Sequence, residues 1–169
     1  MEILARTILF ITATTVYHPP PDLVGLEFTL VWPGQNGASC VANTVSGGGG
    51  GGSFLNGTFS LPFPQSISVL VDSKHVRFVD VSPDAYITTA SRGGRGGGGA
   101  RGAIPGKGGD SALGTGGLGG VHSNGQDAIG YGAGGGGCSA GPGEGFYGGK
   151  GGPGAVRFVE VRLAPKDGL

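Results

Sequence analysis

The chain has 169 residues, of which 41 are Gly and 11 are Pro. The combined share of Gly and Pro is more than twice that of ordinary soluble domains. This composition excludes a conventional helical or α/β enzyme. Eleven basic and 11 acidic residues leave zero net charge, which argues against a general nucleic-acid binder or a protein held on an anionic membrane. No apolar run has the length of a membrane-spanning helix, so we expect no membrane insertion.

The apolar residues divide the chain into two parts. Residues 92–154 contain only six of its 41 Leu, Ile, Val and Phe residues, and 30 of the 63 residues in this range are Gly. A chain of this length is expected to form one domain or one domain with a large insertion. We therefore predict a β-sandwich scaffold made of residues 1–91 plus 155–169, and a glycine-rich unit of residues 92–154 inserted before the last strand.

The scaffold part predicts β-strands throughout. Its apolar stretches are rich in β-branched and aromatic residues, several alternate with polar residues, and Pro or Gly clusters separate them. No stretch combines a helical period with caps, so we expect essentially no α-helix and an all-β fold. The last strand must return to the sheet, because its apolar residues have no other partners. The expected strands lie within residues 3–17 (one or two strands), 26–32, 53–61, 67–71, 76–81, 86–89 and 155–163.

Glycine recurs at every third position of the inserted unit. From Gly93 to Gly120, eight of the ten such positions are Gly, and a second register runs from Gly145 to Gly154. A three-residue period matches the polyproline II helix, which has three residues per turn. Collagen is excluded because the register slips and Pro is scarce. The pattern predicts a bundle of short antiparallel polyproline II helices, with turns near residues 103–105, 110–113, 121–129 and 138–146.

The matches to known catalytic and metal-binding motifs are incomplete or uninformative. Residues 94–99 satisfy G-x-G-x-x-G, but such a match is expected by chance in a glycine-rich segment and no strand–helix context surrounds it. Lys107 is not followed by the Ser or Thr of a P-loop. The three His residues have no ligand spacing. We therefore predict no enzyme activity, no cofactor and no metal.

Cys40 and Cys138 are the two cysteines, 98 residues apart. They form neither a zinc pattern nor a CxxC motif. The favoured interpretation is two free thiols. The alternative is a single disulfide that joins the β part to the glycine-rich part.

Polar and aromatic side chains within residues 92–154 are the candidates for binding. Turns between packed helices would present them outward, and loops on a rigid scaffold commonly form binding surfaces. Alternatively they only solvate the loops, with some aromatic rings packing on the bundle or the sheet. The candidates are Arg95, Arg101, Lys107, His122, Asn124, Tyr131, Phe146 and Tyr147.

The order of these features resembles the glycine-rich domain of bacteriophage tail-fibre and tail-tip proteins. The elements that carry the resemblance are Val16–Val24 after a Thr-rich strand, an alternating strand ending in Trp32, the glycine run Gly47–Gly52, and the closing segment Gly151–Val161. The glycine-rich part is also similar to distal tail-fibre adhesins, whose polyproline II bundles carry host-recognition loops. The resemblance implies a non-enzymatic receptor-binding protein at the tail or fibre tip of a virion. Its partners would be a host surface receptor, either an outer-membrane protein or a glycan, and other virion or tail-fibre proteins.

Other functions remain open at this point. No shaft precedes the domain, so we expect a separate subunit docked on a fibre or tail, and a homotrimer is among the assemblies that the resemblance allows. A second hypothesis is a structural virion subunit that caps or joins other tail or capsid proteins. A third hypothesis is an ice-binding protein. Such a protein needs a flat, regular face of repeated small residues, and the irregular charged turns of this chain argue against it.

Overall fold

The computed structural model describes residues 4–91, 93–94, 96 and 104–164. The prediction of an all-β chain is confirmed, because the helical structure in these residues is the short 3₁₀ turn Pro83–Ala85. The strands are β1 (Leu4–Ile11), β2 (Thr15–Tyr17), β3 (Leu23–Val31), β4 (Cys40–Val41), β5 (Phe54–Phe59), β6 (Ile67–Val71), β7 (Val76–Phe78), β8 (Tyr86–Ser91), β9 (Leu113–Thr115), β10 (Gly120–Val121), β11 (Ile129–Tyr131), β12 (Cys138–Ser139), β13 (Gly145–Phe146) and β14 (Ala155–Leu163).

The largest sheet has five antiparallel strands in the order β1-β14-β3-β5-β8. The predicted return of the last strand is confirmed, since β14 lies between β1 and β3. The alternation predicted for β3 is present only in part: Leu26, Phe28 and Leu30 are each 2% exposed, but Thr29 and Val31 on the opposite face are buried as well. Phe158 and Val156 on β14, the partners of Phe28 and Leu30, share the same buried face. Both ends of the glycine-rich excursion are therefore fixed in this sheet, at β8 and β14, with β3 and β5 between them.

A second sheet, in the order β2-β6-β7, supplies the other side of the core. One cluster of buried residues joins it to the large sheet, including Ile67 and Val69 of β6 and Phe158 of β14. Aromatic rings form its centre: Phe78 lies edge-on to Phe28 at 5.0 Å and stacks on Phe158 at 6.0 Å. Such ring pairs add stabilisation beyond the area that they bury.

A buried carboxylate, that of Glu160, lies within this core. Glu160 is 2% exposed and accepts a hydrogen bond of 2.5 Å from the Tyr17 hydroxyl. Arg162 donates to the other carboxylate oxygen through Nη2 at 2.6 Å and Nε at 3.0 Å. Burial and the neighbouring carboxylate raise the pKa of Tyr17, which keeps the hydroxyl a donor. The buried charge of Glu160 is therefore matched on both oxygens, as buried carboxylates require.

The glycine-rich residues form a block of extended segments that are bonded to one another through the backbone. The block is wider than residues 92–154, because residues 34–38 and the run Gly47–Gly52 belong to the same hydrogen-bonded network. The segments of this glycine block are residues 34–38, 46–52, 106–110, 116–120, 125–128, 132–138 and 148–153, together with the described residues 93–94.

Hydrogen bonds in the glycine block recur at every third residue. Between the antiparallel segments 46–52 and 132–138, the donors are three residues apart and so are the acceptors. Other segment pairs, parallel or antiparallel, keep the same step. The bonds of the first pair are Gly52 N to Gly132 O at 2.5 Å, Gly49 N to Gly135 O at 2.8 Å and Ser46 N to Cys138 O at 2.8 Å.

Glycine lets the segments approach within backbone contact. A Cβ atom on Gly136 would overlap the carbonyl oxygen of Leu118, and one on Gly134 would overlap that of Gly49. In most of the interior of this block, main chain therefore packs directly against main chain. A residue with a side chain could not replace glycine at these positions without displacing its neighbours.

The expectation of two free thiols is wrong, because Cys40 and Cys138 form a disulfide with their Cα atoms 5.8 Å apart. Ala140 and the half-buried Phe146 pack against it. The separation of 98 residues gave no indication of the pairing. Proximity arises because the segments 34–38 and 132–138 end beside each other, which depends on the packing of the whole block.

Candidate functional site

Three loops meet at the end of the glycine block where the disulfide lies. We call this region the distal end and define it as residues 41–44, 121–124 and 141–147. Its opposite end is fixed to the large sheet, since Gly132 lies against Val31 of β3. The segment 132–138 runs from that contact to the disulfide.

Short strand pairs on both sides of the disulfide hold the distal loops. β13 pairs with β4, so that Phe146 lies opposite Cys40, and β10 pairs with β12, so that Gly120 lies opposite Cys138. The backbone N–H of Asn43 donates to the carbonyl of Gly141 at 3.2 Å. The loops are therefore tied to one another as well as to the block.

His122 and Glu144 link two of the distal loops. The Nδ1 atom of His122 lies 2.8 Å from a carboxylate oxygen of Glu144, which also accepts the N–H of Gly141 at 2.7 Å. The hydrogen bonds from His122 and Gly141 lower the pKa of Glu144. His122 has a φ of +48°, in the left-handed region that side chains rarely adopt. The surrounding contacts, including the one with Glu144, must hold this conformation, so we infer that the loop is fixed.

Asn124 and Tyr147 form a second link between two of the distal loops. The Asn124 side-chain oxygen accepts the backbone N–H of Tyr147 at 2.9 Å. The Tyr147 side chain is 75% exposed. Asn124 thus positions the backbone, and Tyr147 presents a large amphipathic ring to solvent.

Val41 and Val121 complete the exposed surface of the distal end. They are 68% and 59% exposed, respectively, and both lie in strands that flank the disulfide. Neither residue was among the predicted candidates, because single Val residues in glycine-rich loops carry no distinguishing signal. With Tyr147 they are the large, exposed apolar or aromatic side chains of the distal end.

Two predicted aromatic candidates have packing contacts in the structure. Phe146 is half-buried against the disulfide and Ala140. Tyr131 is half-buried and stacks on Phe10 of β1 with ring centroids 5.7 Å apart, at the sheet end of the glycine block. Of the eight candidates, the structure therefore brings His122, Asn124, Phe146 and Tyr147 together and places Tyr131 elsewhere.

The remaining candidates are basic. Lys107 lies on the segment 106–110 and forms an ion pair with Asp110 at 2.9 Å. The N–H of Gly116 and this ion pair lower the pKa of Asp110. Asp110 thereby ties the turn 110–116 together, and Lys107 is engaged within its own segment. Arg95 and Arg101 lie outside the described residues.

The distal end presents side chains of several chemical types. It offers amide, imidazole, phenol and aliphatic groups on loops whose backbone is already bonded. Among the residues that the structure describes, no three His, Cys, Asp or Glu side chains gather as a metal site would require. The same residues contain no helix that is long and apolar enough to cross a membrane. No protein-family model matches the chain, and comparison with curated proteins finds no match.

Proposed function

We propose that this chain is a bacteriophage receptor-binding adhesin, carried at the tip of a tail or tail fibre. In this proposal a small β-sandwich, made of the two packed sheets, holds a bundle of polyproline II helices. The loops at the distal end of the bundle contact a receptor on the host surface, either an outer-membrane protein or a glycan.

Hydrogen bonds in steps of three support the polyproline II interpretation. A β-ladder repeats every two residues, whereas a polyproline II helix has three residues per turn and no internal hydrogen bonds. Its N–H and C=O groups must then bond to neighbouring helices. Gly49 follows this pattern: its N–H donates to Gly135, and its carbonyl accepts from Gly109.

The single observation that carries the function is the distal end itself, with bonded loops that present an exposed ring. Ordering flexible loops costs free energy on binding, and loops that are already fixed avoid much of that cost. A disulfide, paired short strands and the His122–Glu144 link fix the backbone around Tyr147. Exposed Tyr residues on rigid loops are frequent anchors of binding surfaces.

The experiment measures binding of the fluorescently labelled protein to cells of the bacterium that the encoding phage infects. Tyr147→Ala should weaken binding about tenfold or more, because an aromatic anchor typically contributes about 2 kcal/mol. Ile87→Ala is the matched control, since Ile87 is 71% exposed but lies on β8 of the large sheet. Equal binding by wild type and Tyr147→Ala, or loss with Ile87→Ala instead, contradicts the proposal.

The second candidate is a structural virion subunit that joins other proteins. It is favoured by the exposed apolar residues of β1, which include Leu4, Ile8 and Phe10. Immunogold labelling of the phage particles separates the two functions. Label at the distal tip of the tail or fibre supports the adhesin, and label within the tail tube or on the capsid supports the structural subunit.

A further inference from the structure

Strand β1 is an edge of the large sheet and is exposed on both faces. Seven of its eight residues are exposed, and Ile11 is the buried exception. On the face away from the core, Leu4 is 56%, Ile8 60% and Phe10 46% exposed. Leu9, on the other face, is still 38% exposed. Apart from the buried Ile11 and the Phe10 ring, which stacks on Tyr131 of the glycine block, the side chains of this strand are therefore largely uncovered.

β1 has little of the protection that is usual for an edge strand. Natural proteins protect such edges with charges, Pro, bulges or a covering element, because the unpaired backbone groups readily bind another strand. Residues 4–11 contain no Pro, and their single charge, Arg6, is paired with Glu27 at 3.2 Å. No other described strand pairs with the outer edge of β1.

We propose that β1 pairs antiparallel with β1 of a second copy of the chain, across a two-fold axis at Ile8. The two five-stranded sheets would then form one continuous sheet. This interface lies at the β scaffold and leaves the distal end free, so it goes beyond the proposed function and does not depend on it.

The charge pattern of β1 favours a second copy in this orientation. Alternation puts Leu4, Arg6, Ile8 and Phe10 on one face. A two-fold axis at Ile8 sets Ile8 opposite its own copy and Arg6 opposite the second copy's Phe10. A parallel pairing would set the two Arg6 side chains against each other. The antiparallel pair therefore matches apolar groups at its centre and keeps the two Arg6 side chains apart.

The size of this contact is typical of a weak, reversible interface. One strand edge with its flanking side chains buries on the order of 1,000 Å² in total, at the lower end for specific interfaces. We therefore expect a dimer of micromolar affinity. Analytical ultracentrifugation from about 1 to about 200 µM should show a monomer converting to twice its mass over this range.

Charge variants at Ile8 test the two-fold register. Ile8→Lys and Ile8→Glu each place like charges opposite one another and remove an apolar pair, so each should raise the dimer dissociation constant about tenfold or more. An equimolar mixture of the two should recover the dimer through opposite charges. Ile87→Lys, on the opposite edge strand β8, is the matched control and should dimerise like the wild type.

Several outcomes overturn the proposal. These are a wild-type monomer at every concentration, as expected if a different protein or nothing covers β1, a trimer, or dimerisation that survives Ile8→Lys. Loss of the dimer in Ile87→Lys would place the interface on β8 instead. Circular dichroism of each variant confirms the fold, and the recovery in the mixture shows that both variants are competent to pair.

Discussion

Adjacent glycines in the run Gly47–Gly52 should respond very differently to replacement by Ala. At Gly49 a Cβ atom would overlap the carbonyl oxygen of Gln35, and the backbone cannot withdraw because it is bonded to Gly135 and Gly109 on other sides. At Gly50 the nearest atom to a new Cβ is the flexible Gln35 side-chain oxygen, 3.3 Å away. The run is uniform in sequence, so only the packing separates the two positions.

The magnitudes follow from the contacts. Overpacking costs about 1–3 kcal/mol, each strained backbone hydrogen bond adds about 1 kcal/mol, and the lower entropy of the unfolded Ala chain returns about 0.4–1 kcal/mol. We expect Gly49→Ala to lose about 2–4 kcal/mol and to lower the melting temperature by about 5–15 °C. Gly50→Ala should stay within about 1 kcal/mol of the wild type.

Thermal and urea unfolding of both variants checks this prediction. The packing argument is refuted if the two variants have the same stability, or if Gly50→Ala is the less stable one.

Three further predictions concern other parts of the structure. Reduction of the Cys40–Cys138 disulfide, or Cys138→Ser, should cost about 4 kcal/mol because the bond closes a loop of nearly 100 residues, measured by unfolding with and without reductant. Glu144 has a lowered pKa in the folded state, so its carboxylate stabilises the protein above the ordinary Glu pKa of 4.5 and this contribution is lost as the pH falls below it. Melting temperatures from about pH 7 to about pH 3 should fall less steeply for Glu144→Gln than for the wild type. Glu160→Gln should cost about 2–4 kcal/mol in urea unfolding, because it disturbs the buried bonds to Tyr17 and removes the anion beside Arg162.

The strands of the β scaffold could be predicted from the sequence because their signals are local. Alternation at Leu26, Phe28 and Leu30 fixes which side of β3 faces the core, and the apolar residues of 155–163 require a partner strand. The expected strand regions all contain observed strands. Only their bounds differ, as for 76–81, where the strand ends at Phe78.

The arrangement of the glycine block could be predicted only in part. Spacing at every third position gave the period, but it could not tell which segment lies beside which. For this reason the prediction placed the run Gly47–Gly52 and residues 34–38 in the scaffold of residues 1–91. The disulfide was missed for the same reason, since its formation depends on two segments that end at the same place.

The candidate site depends on that arrangement as well. His122, Asn124 and Tyr147 were selected by residue type, and their meeting at the distal end follows from the strand pairs beside the disulfide. Residue type alone could not separate Tyr147, which is exposed, from Tyr131, which stacks on Phe10. The difference in burial follows from position: Tyr131 lies at the sheet end of the glycine block, and Tyr147 lies at the distal end.

Amide hydrogen exchange of the glycine block tests the central claim most directly. The N–H groups of Gly49, Gly109 and Gly134 donate to backbone carbonyls inside the block, although none of these residues lies in a strand. Mass spectrometry or NMR should find peptides covering 46–52, 106–110 and 132–138 as slow to exchange as the core strands β3 and β14. Exchange of these glycines at the rate of an unprotected chain, while β3 and β14 remain protected, would contradict a rigid block built from backbone contacts.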